Sequence, residues 1–197
     1  NRTPVKEQTI CSVDLGINTD AVCTIMRPDG TILGRKFINF PSDKDRMYRV
    51  LGRIRRFQRE HGSRQVQGRW AYAKRLNTEL GRKIAKEIVL YASENKANVI
   101  VFEYLEMKGK LSGKKKQKLQ MWKKRDIQKR CGQQAHRKGI RISRICAWNT
   151  SRLAFDGSGK IDRDIQDHRL CTFQNGKRYN CDLSASYNIG ARYFIRE

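Results

Sequence analysis

Proline is nearly missing from this chain, with 3 in 197 residues, and acidic residues are scarce, 19 Asp and Glu against 43 Lys and Arg. The first scarcity leaves long stretches free to be helix. The second leaves a formal net charge of +24, so the expected partner is a polyanion. No run of about 18 apolar residues occurs, so neither a membrane span nor a secretory leader is expected, and the protein is expected inside the cell. None of the six cysteines forms a CxxC pair. Cys11 and Cys23 fall in apolar alternating runs and are read as reduced core thiols. Cys171 and Cys181 are the only pair spaced like half of a zinc site; no second half is visible, so zinc is not expected there. His61, His136 and His168 have neither metal-ligand nor triad spacing.

What is present suits a single domain over 1–197, a fragment of something longer given its abrupt start at Asn1. Three alternating runs, Thr9–Leu15, Ala21–Met26 and Thr31–Asn39, are punctuated by turn signals, the second being Pro28-Asp-Gly30, and predict an antiparallel meander. From about 43 to 95 the apolar spacing becomes three and four residues, which predicts two helices with a break in the glycine-bounded stretch Gly62–Gly68. Asn98–Leu105, "NVIVFEYL", is a short continuous apolar run, as in a buried parallel strand. Lys108–Lys118 is too basic and glycine-rich for core and is expected to be a loop. A basic helix over Gln120–Arg137, a strand over Gly139–Asn149, a loop over about 150–181 and a closing helix complete the chain. An antiparallel meander extended by parallel strands predicts an α/β, ribonuclease-H-like fold, a mixed five-stranded sheet flanked by helices.

Three acids occupy costly places: Asp14 inside the first strand, Glu103 at the end of the fourth, and Asp182 opening the last helix. An ionised carboxylate in an apolar strand must be offset by hydrogen bonds, a cation or a metal. If strands one and four are parallel neighbours, Asp14 and Glu103 meet at one sheet edge and a helix over that edge brings Asp182. Such an all-oxygen set suits Mg²⁺ or Mn²⁺, and two such ions could drive phosphodiester hydrolysis. Taken singly, each acid has a plainer reading: a turn-facing group, an arginine partner, a helix cap.

The stretches "VDLGINTDAVCTI", "VIVFEYLE" and "NCDLSASYNIGARY" resemble the three RuvC motifs of TnpB-type transposon-encoded RNA-guided nucleases and their type V CRISPR relatives. The resemblance implies a RuvC fold and a DNA endonuclease of prokaryotic cells, cytoplasmic and on nucleic acid. It implies that Asp14, Glu103 and Asp182 are catalytic and hold two Mg²⁺ or Mn²⁺ ions, with a guide RNA, a target DNA and further N-terminal domains as partners. It also implies a lid over the site at about 107–118, and a zinc-ribbon-like loop at about 150–181 that is here poor in cysteine. Two alternatives stay open: a nucleic-acid-binding RuvC-like module that spares target DNA or only processes guide RNA, and a ribonuclease-H-fold transposase. Asp156, Asp162 and Asp164 are read as solvated turn acids.

Nucleic-acid contacts are expected from Lys110, Lys114, Lys115, Lys116, Lys118, Lys123, Lys124 and Arg125, and from Ser151 and Arg152 after the last strand. These favour phosphate over base contact, as does the arginine-rich helix from Arg46. Trp122 and Trp148 are candidates to stack bases, and Trp70 falls on the apolar face of its helix.

Overall fold

The computed structural model describes residues 3–16, 19–62, 66–104, 115–167 and 169–195, the side chains of 115–122 excepted. The lid-like loop, with Lys110 and Lys114, therefore lies largely outside the described residues, as do the side chains of Lys115, Lys116, Lys118 and Trp122.

The meander forms as expected: β1 (Ile10–Asp14), β2 (Ala21–Met26) and β3 (Ile32–Ile38). Helices α1 (Pro41–His61) and α2 (Gln67–Glu94) follow, then β4 (Val99–Tyr104), α3 (Lys115–His136) and β5 (Arg141–Cys146). The sheet order is β3-β2-β1-β4-β5, with β1 antiparallel to β2 and parallel to β4, and β4 parallel to β5. This mixed five-stranded sheet between helices is a ribonuclease-H-like fold. Two boundaries differ from expectation. Helix α3 begins at Lys115 rather than near Gln120, because past Gly113 the run is Lys, Gln and Leu, all good helix formers. The loop at 150–181 contains a second, three-stranded sheet of β6 (Asp162–Arg163), β7 (Leu170–Thr172) and β8 (Arg178–Asn180), strands too short for periodicity to reveal.

Side-chain alternation divides the core into two layers. Cys11, Val13, Cys23, Ile25, Ile100 and Phe102 pack under α2 and α3 with Ile84, Ile88 and Ile127. Ile10, Val22, Val99, Val101 and Ile145 pack under the last helix, α4 (Cys181–Ile195), with Leu183, Tyr187, Ile189 and Tyr193. Five of the six cysteines are buried and all are free, Cys11, Cys23 and Cys131 as plain core residues; Cys146 is exposed on the edge strand. Asp20, whose carboxylate is wholly buried, ties three segments together. It accepts a hydrogen bond from the Phe40 amide at 2.8 Å and faces the Lys44 and Lys123 ammonium groups, each at 3.6 Å. Lys123 is thus turned inward, and burial pushes its pKa down against the pull of Asp20.

Helix α4 lies close on the sheet because its facing residues are small. Ser186 Oγ is 2.7 Å from Thr24 Oγ1, and a Cβ placed on Gly190 would stand 2.9 Å from the Met26 thioether and 3.1 Å from Ser12 Oγ. Gly190→Val is expected to destabilise the protein by about 1–3 kcal/mol through overpacking, with Gly190→Ala costing less because the Met26 end can shift; urea unfolding of the two variants measures it.

Candidate active site

The pleat decides where the acids point. Ile10, Ser12 and Asp14 share one face of β1, and Val99, Val101 and Glu103 share one face of β4, the face that α4 covers. The parallel register pairs Val13 with Phe102, so the next step sets Asp14 beside Glu103. Both stand at the carboxyl ends of parallel strands, where open α/β sheets form their crevices. Asp182 is the second residue of α4. It is not the cap: Asn180 Oδ1 accepts the Leu183 amide hydrogen at 2.9 Å, and the Asp182 carboxylate lies close enough to Asp14 to raise its pKa.

The three acids sense one another electrostatically. Asp14 is pushed up to about 7, first by burial, then by the negative charges of Glu103 and Asp182, against a weaker opposing pull from Lys124 and Arg163. Among the described residues none of the three acids has a Lys, Arg or His partner within ion-pair distance. A donor set of carboxylates without a bonded cation fits a hard divalent ion in its chemistry. Its spacing is not that of a ready-made cage: among the described residues no three His, Cys, Asp or Glu side chains stand in a metal-holding array. Glu103 is engaged by the chain itself, its Oε1 accepting a hydrogen bond from the Thr150 hydroxyl.

Thr150 is a site residue that spacing alone does not reveal. It is presented by a turn in which Asn149 takes a left-handed φ of 59°, a conformation asparagine tolerates. Helix α4 grips this turn from one side: Asn188 Nδ2 donates to the Thr150 and Leu153 carbonyls at 2.9 and 2.7 Å, and Arg192 donates to those of Cys146 and Trp148, each at 2.7 Å. On the other side, Gln128 of α3 donates to the Glu103 carbonyl at 2.9 Å and accepts from Arg144 at 3.1 Å. The only local trace of this clamp in the sequence is that Asn188 and Arg192 stand four apart on one helix face, which does not say what they hold.

The other expected residues fall in varied places. Lys124 lies close enough to Asp14 to lower its pKa; Arg125, Ser151 and Arg152 are exposed, and so is Trp148. Trp70 is half-buried. Cys171 and Cys181 are buried and hydrogen-bonded to each other in an apolar cluster with Ala154 and Phe173, which pushes Cys181 up to about 12. Asp156 and Asp164 cap turns, and their hydrogen bonds, chiefly from Ser158 to Asp156 and from the backbone amides of Asp167 and Gln166 to Asp164, hold both pKa values down.

No protein-family model matches the chain, and no curated protein matches it in sequence. Solved structures do share its fold. The Cas12f1–sgRNA–target DNA complex aligns over 92% of this chain and 49% of its own, with a TM-score of 0.67 and 17% identity. The AacC2c1–sgRNA binary complex aligns over 95% and 39%, with a TM-score of 0.69 and 10% identity. The mini-RNA-guided endonuclease CRISPR-Cas_phi3 aligns over 96% and 45%, with a TM-score of 0.63 and 12% identity. The chain thus spans about half or less of the proteins it resembles.

The raised Asp14 pKa sets a pH dependence. A carboxyl that titrates near 7 when folded and near 3.8 when unfolded binds its proton more tightly in the native state, so its contribution to stability falls as pH rises from about 4 to about 7 and is level beyond. In chelator, wild type is expected to lose on the order of 2–4 kcal/mol over that window relative to Asp14→Asn, read from denaturation midpoints at pH 5 and pH 8.

Proposed function

We propose that this chain is the RuvC-like nuclease domain of an RNA-guided DNA nuclease, hydrolysing DNA phosphodiesters with Asp14, Glu103 and Asp182 as the acids that hold Mg²⁺ or Mn²⁺. The observation that carries the reading is Asp14, a strand carboxylate without an ion-pair partner among the described residues and pushed up to about 7 partly by the other two acids. Bound there, two divalent ions would supply an activated water and charge stabilisation at the leaving oxygen. The chain's own part is positional. Strands β1 and β4 aim two carboxylates across one ladder step, α4 brings the third, and Thr150 orients Glu103.

Lys124 and Arg163 flank this mouth, Arg163 from the small sheet with its guanidinium on the Ser151 carbonyl at 3.1 Å. Two cations at the rim favour a phosphodiester over a neutral substrate. The fold shared with the RNA-guided nucleases supports guide RNA and target DNA as partners, and the lengths of those proteins support further domains in the parent. The reading of a lid at about 107–118 stays part of this proposal.

Wild type is expected to nick DNA in Mg²⁺, in the presence of the parent's remaining domains and a guide RNA, and Asp14→Ala, Glu103→Gln and Asp182→Asn each to lose that activity; cutting that survived Asp14→Ala would reject the site. Thr150→Val should lower the rate about 10- to 100-fold with the fold intact, as loss of a ligand-orienting hydrogen bond does, and Thr150→Ser should restore most of it. A wild type that bound but never cut nucleic acid under these conditions would favour the binding-module reading.

A further inference from the structure

Helix α3 packs on the opposite face of the sheet from α4, with Ile127 and Cys131 in the same layer as Val13 and Phe102. From that side one of its cations reaches the carboxyl ends of β1 and β4. Lys124, half-buried, lines a small hollow with Glu103, Gln128, Val13, Leu15 and Phe102. The hollow measures about 10 Å³, room for about one water molecule, so the lysine packs close to Glu103. Its charge also acts on Asp14, in the direction opposite to that of Glu103 and Asp182.

Two anchors fix this part of α3. One turn later, on the same helix face, Gln128 donates to the Glu103 main-chain carbonyl at 2.9 Å and accepts from Arg144 at 3.1 Å. One residue earlier, Lys123 turns to the buried carboxylate of Asp20 at 3.6 Å, which also accepts the Phe40 amide hydrogen at 2.8 Å and faces Lys44 at 3.6 Å. Lys124 is therefore placed by the helix that carries it. Among the described residues it has no carboxylate within ion-pair distance. A fixed positive charge beside a group of acids opposes their attraction for any other cation, and in a half-buried site that opposition is screened less than at the surface.

We propose that Lys124 is a tethered counter-ion of Asp14, Glu103 and Asp182, held at the crevice by the flanking anchors of α3, and that it competes with the divalent metal and so weakens its binding. This is a regulation of the metal site and rests on the reading of that site in the preceding subsection. Lys124 is a positioning residue in this role, since it acts on the metal through the carboxylates rather than by touching it.

The test is Mn²⁺ binding to the full chain without nucleic acid, read from the free-ion signal in electron paramagnetic resonance at pH 8, where Asp14, titrating at about 7, is mostly ionised. Lys124→Met keeps the length of the side chain and removes its charge, and should bind Mn²⁺ about three- to tenfold more tightly than wild type. Lys124→Gln, neutral but polar, should do the same, so the result does not hang on one substitution. Lys124→Arg keeps the charge and should bind as wild type does. Lys129→Met removes a charge from an exposed position of the same helix and should change the affinity much less. Neutral variants that bound Mn²⁺ no more tightly than wild type, or a Lys129→Met that tightened binding equally, would overturn the counter-ion while the metal site stood. Wild-type binding that was absent, or that Asp14→Asn left unchanged, would overturn the metal site and the counter-ion with it.

Discussion

The parallel ladder between β1 and β4 is the constraint on which the rest of this structure depends. Its register sets Asp14 beside Glu103, and the pleat sends both to the face that α4 covers. A slip of one residue in either strand would turn its acid to the α2 face. There it would lie against Phe102, Ile84 and Ile88, an apolar layer with no cation to offset a carboxylate. Burial on both faces pins the register, because Val13, Val99, Ile100, Val101 and Phe102 are all enclosed. The apolar core therefore also fixes the spacing of the charges.

Helix α4 does several jobs with few residues. Asn180 caps it and so leaves Asp182 to the site, Gly190 and Ser186 let it lie close on β1 and β2, and Asn188 with Arg192 holds the turn that presents Thr150. Each of these bonds is made by one helix packed on the sheet, so the carboxylate of Asp182 and the orienting hydroxyl of Thr150 are referred to the same element. This is how a site built on distant sequence segments gains precision, since its members are referred to one frame rather than to independent loops.

The remaining charge is divided by burial. Where a cation meets a carboxylate in the interior, as Lys123 and Lys44 meet Asp20, it fastens α3 and α1 to the turn after β1. Cations on the exposed faces of α1 and α2 add to the surface potential that a polyanion would meet. A chain with 19 acids for 43 bases cannot pair most of its cations internally. In the region of 150–181, the cluster of Phe155, Phe173 and Tyr179 around Cys171 and Cys181 gives the small sheet an apolar centre of its own.

The amino-acid sequence by itself determined the strands of the main sheet and the helix pair, because alternation and three-to-four spacing are local consequences of side-chain direction. It also singled out the three acids, since a carboxylate among apolar strand residues or at a helix start stands out from its neighbours. It could not locate Thr150, Asn188 or Gln128 as supports, because their roles are hydrogen bonds to groups 25 to 47 residues away; nor could it choose between Asn180 and Asp182 as the cap of α4, since both are capping residue types standing two apart at the helix start. It misread Lys123 as a surface contact, since its partner Asp20 lies more than a hundred positions earlier. It missed the small sheet because two- and three-residue strands carry no period. Only the tertiary structure decided that Thr150 meets Glu103 and that Lys123 turns inward to Asp20, because both are distances across the fold, and those depend on packing that no local pattern encodes.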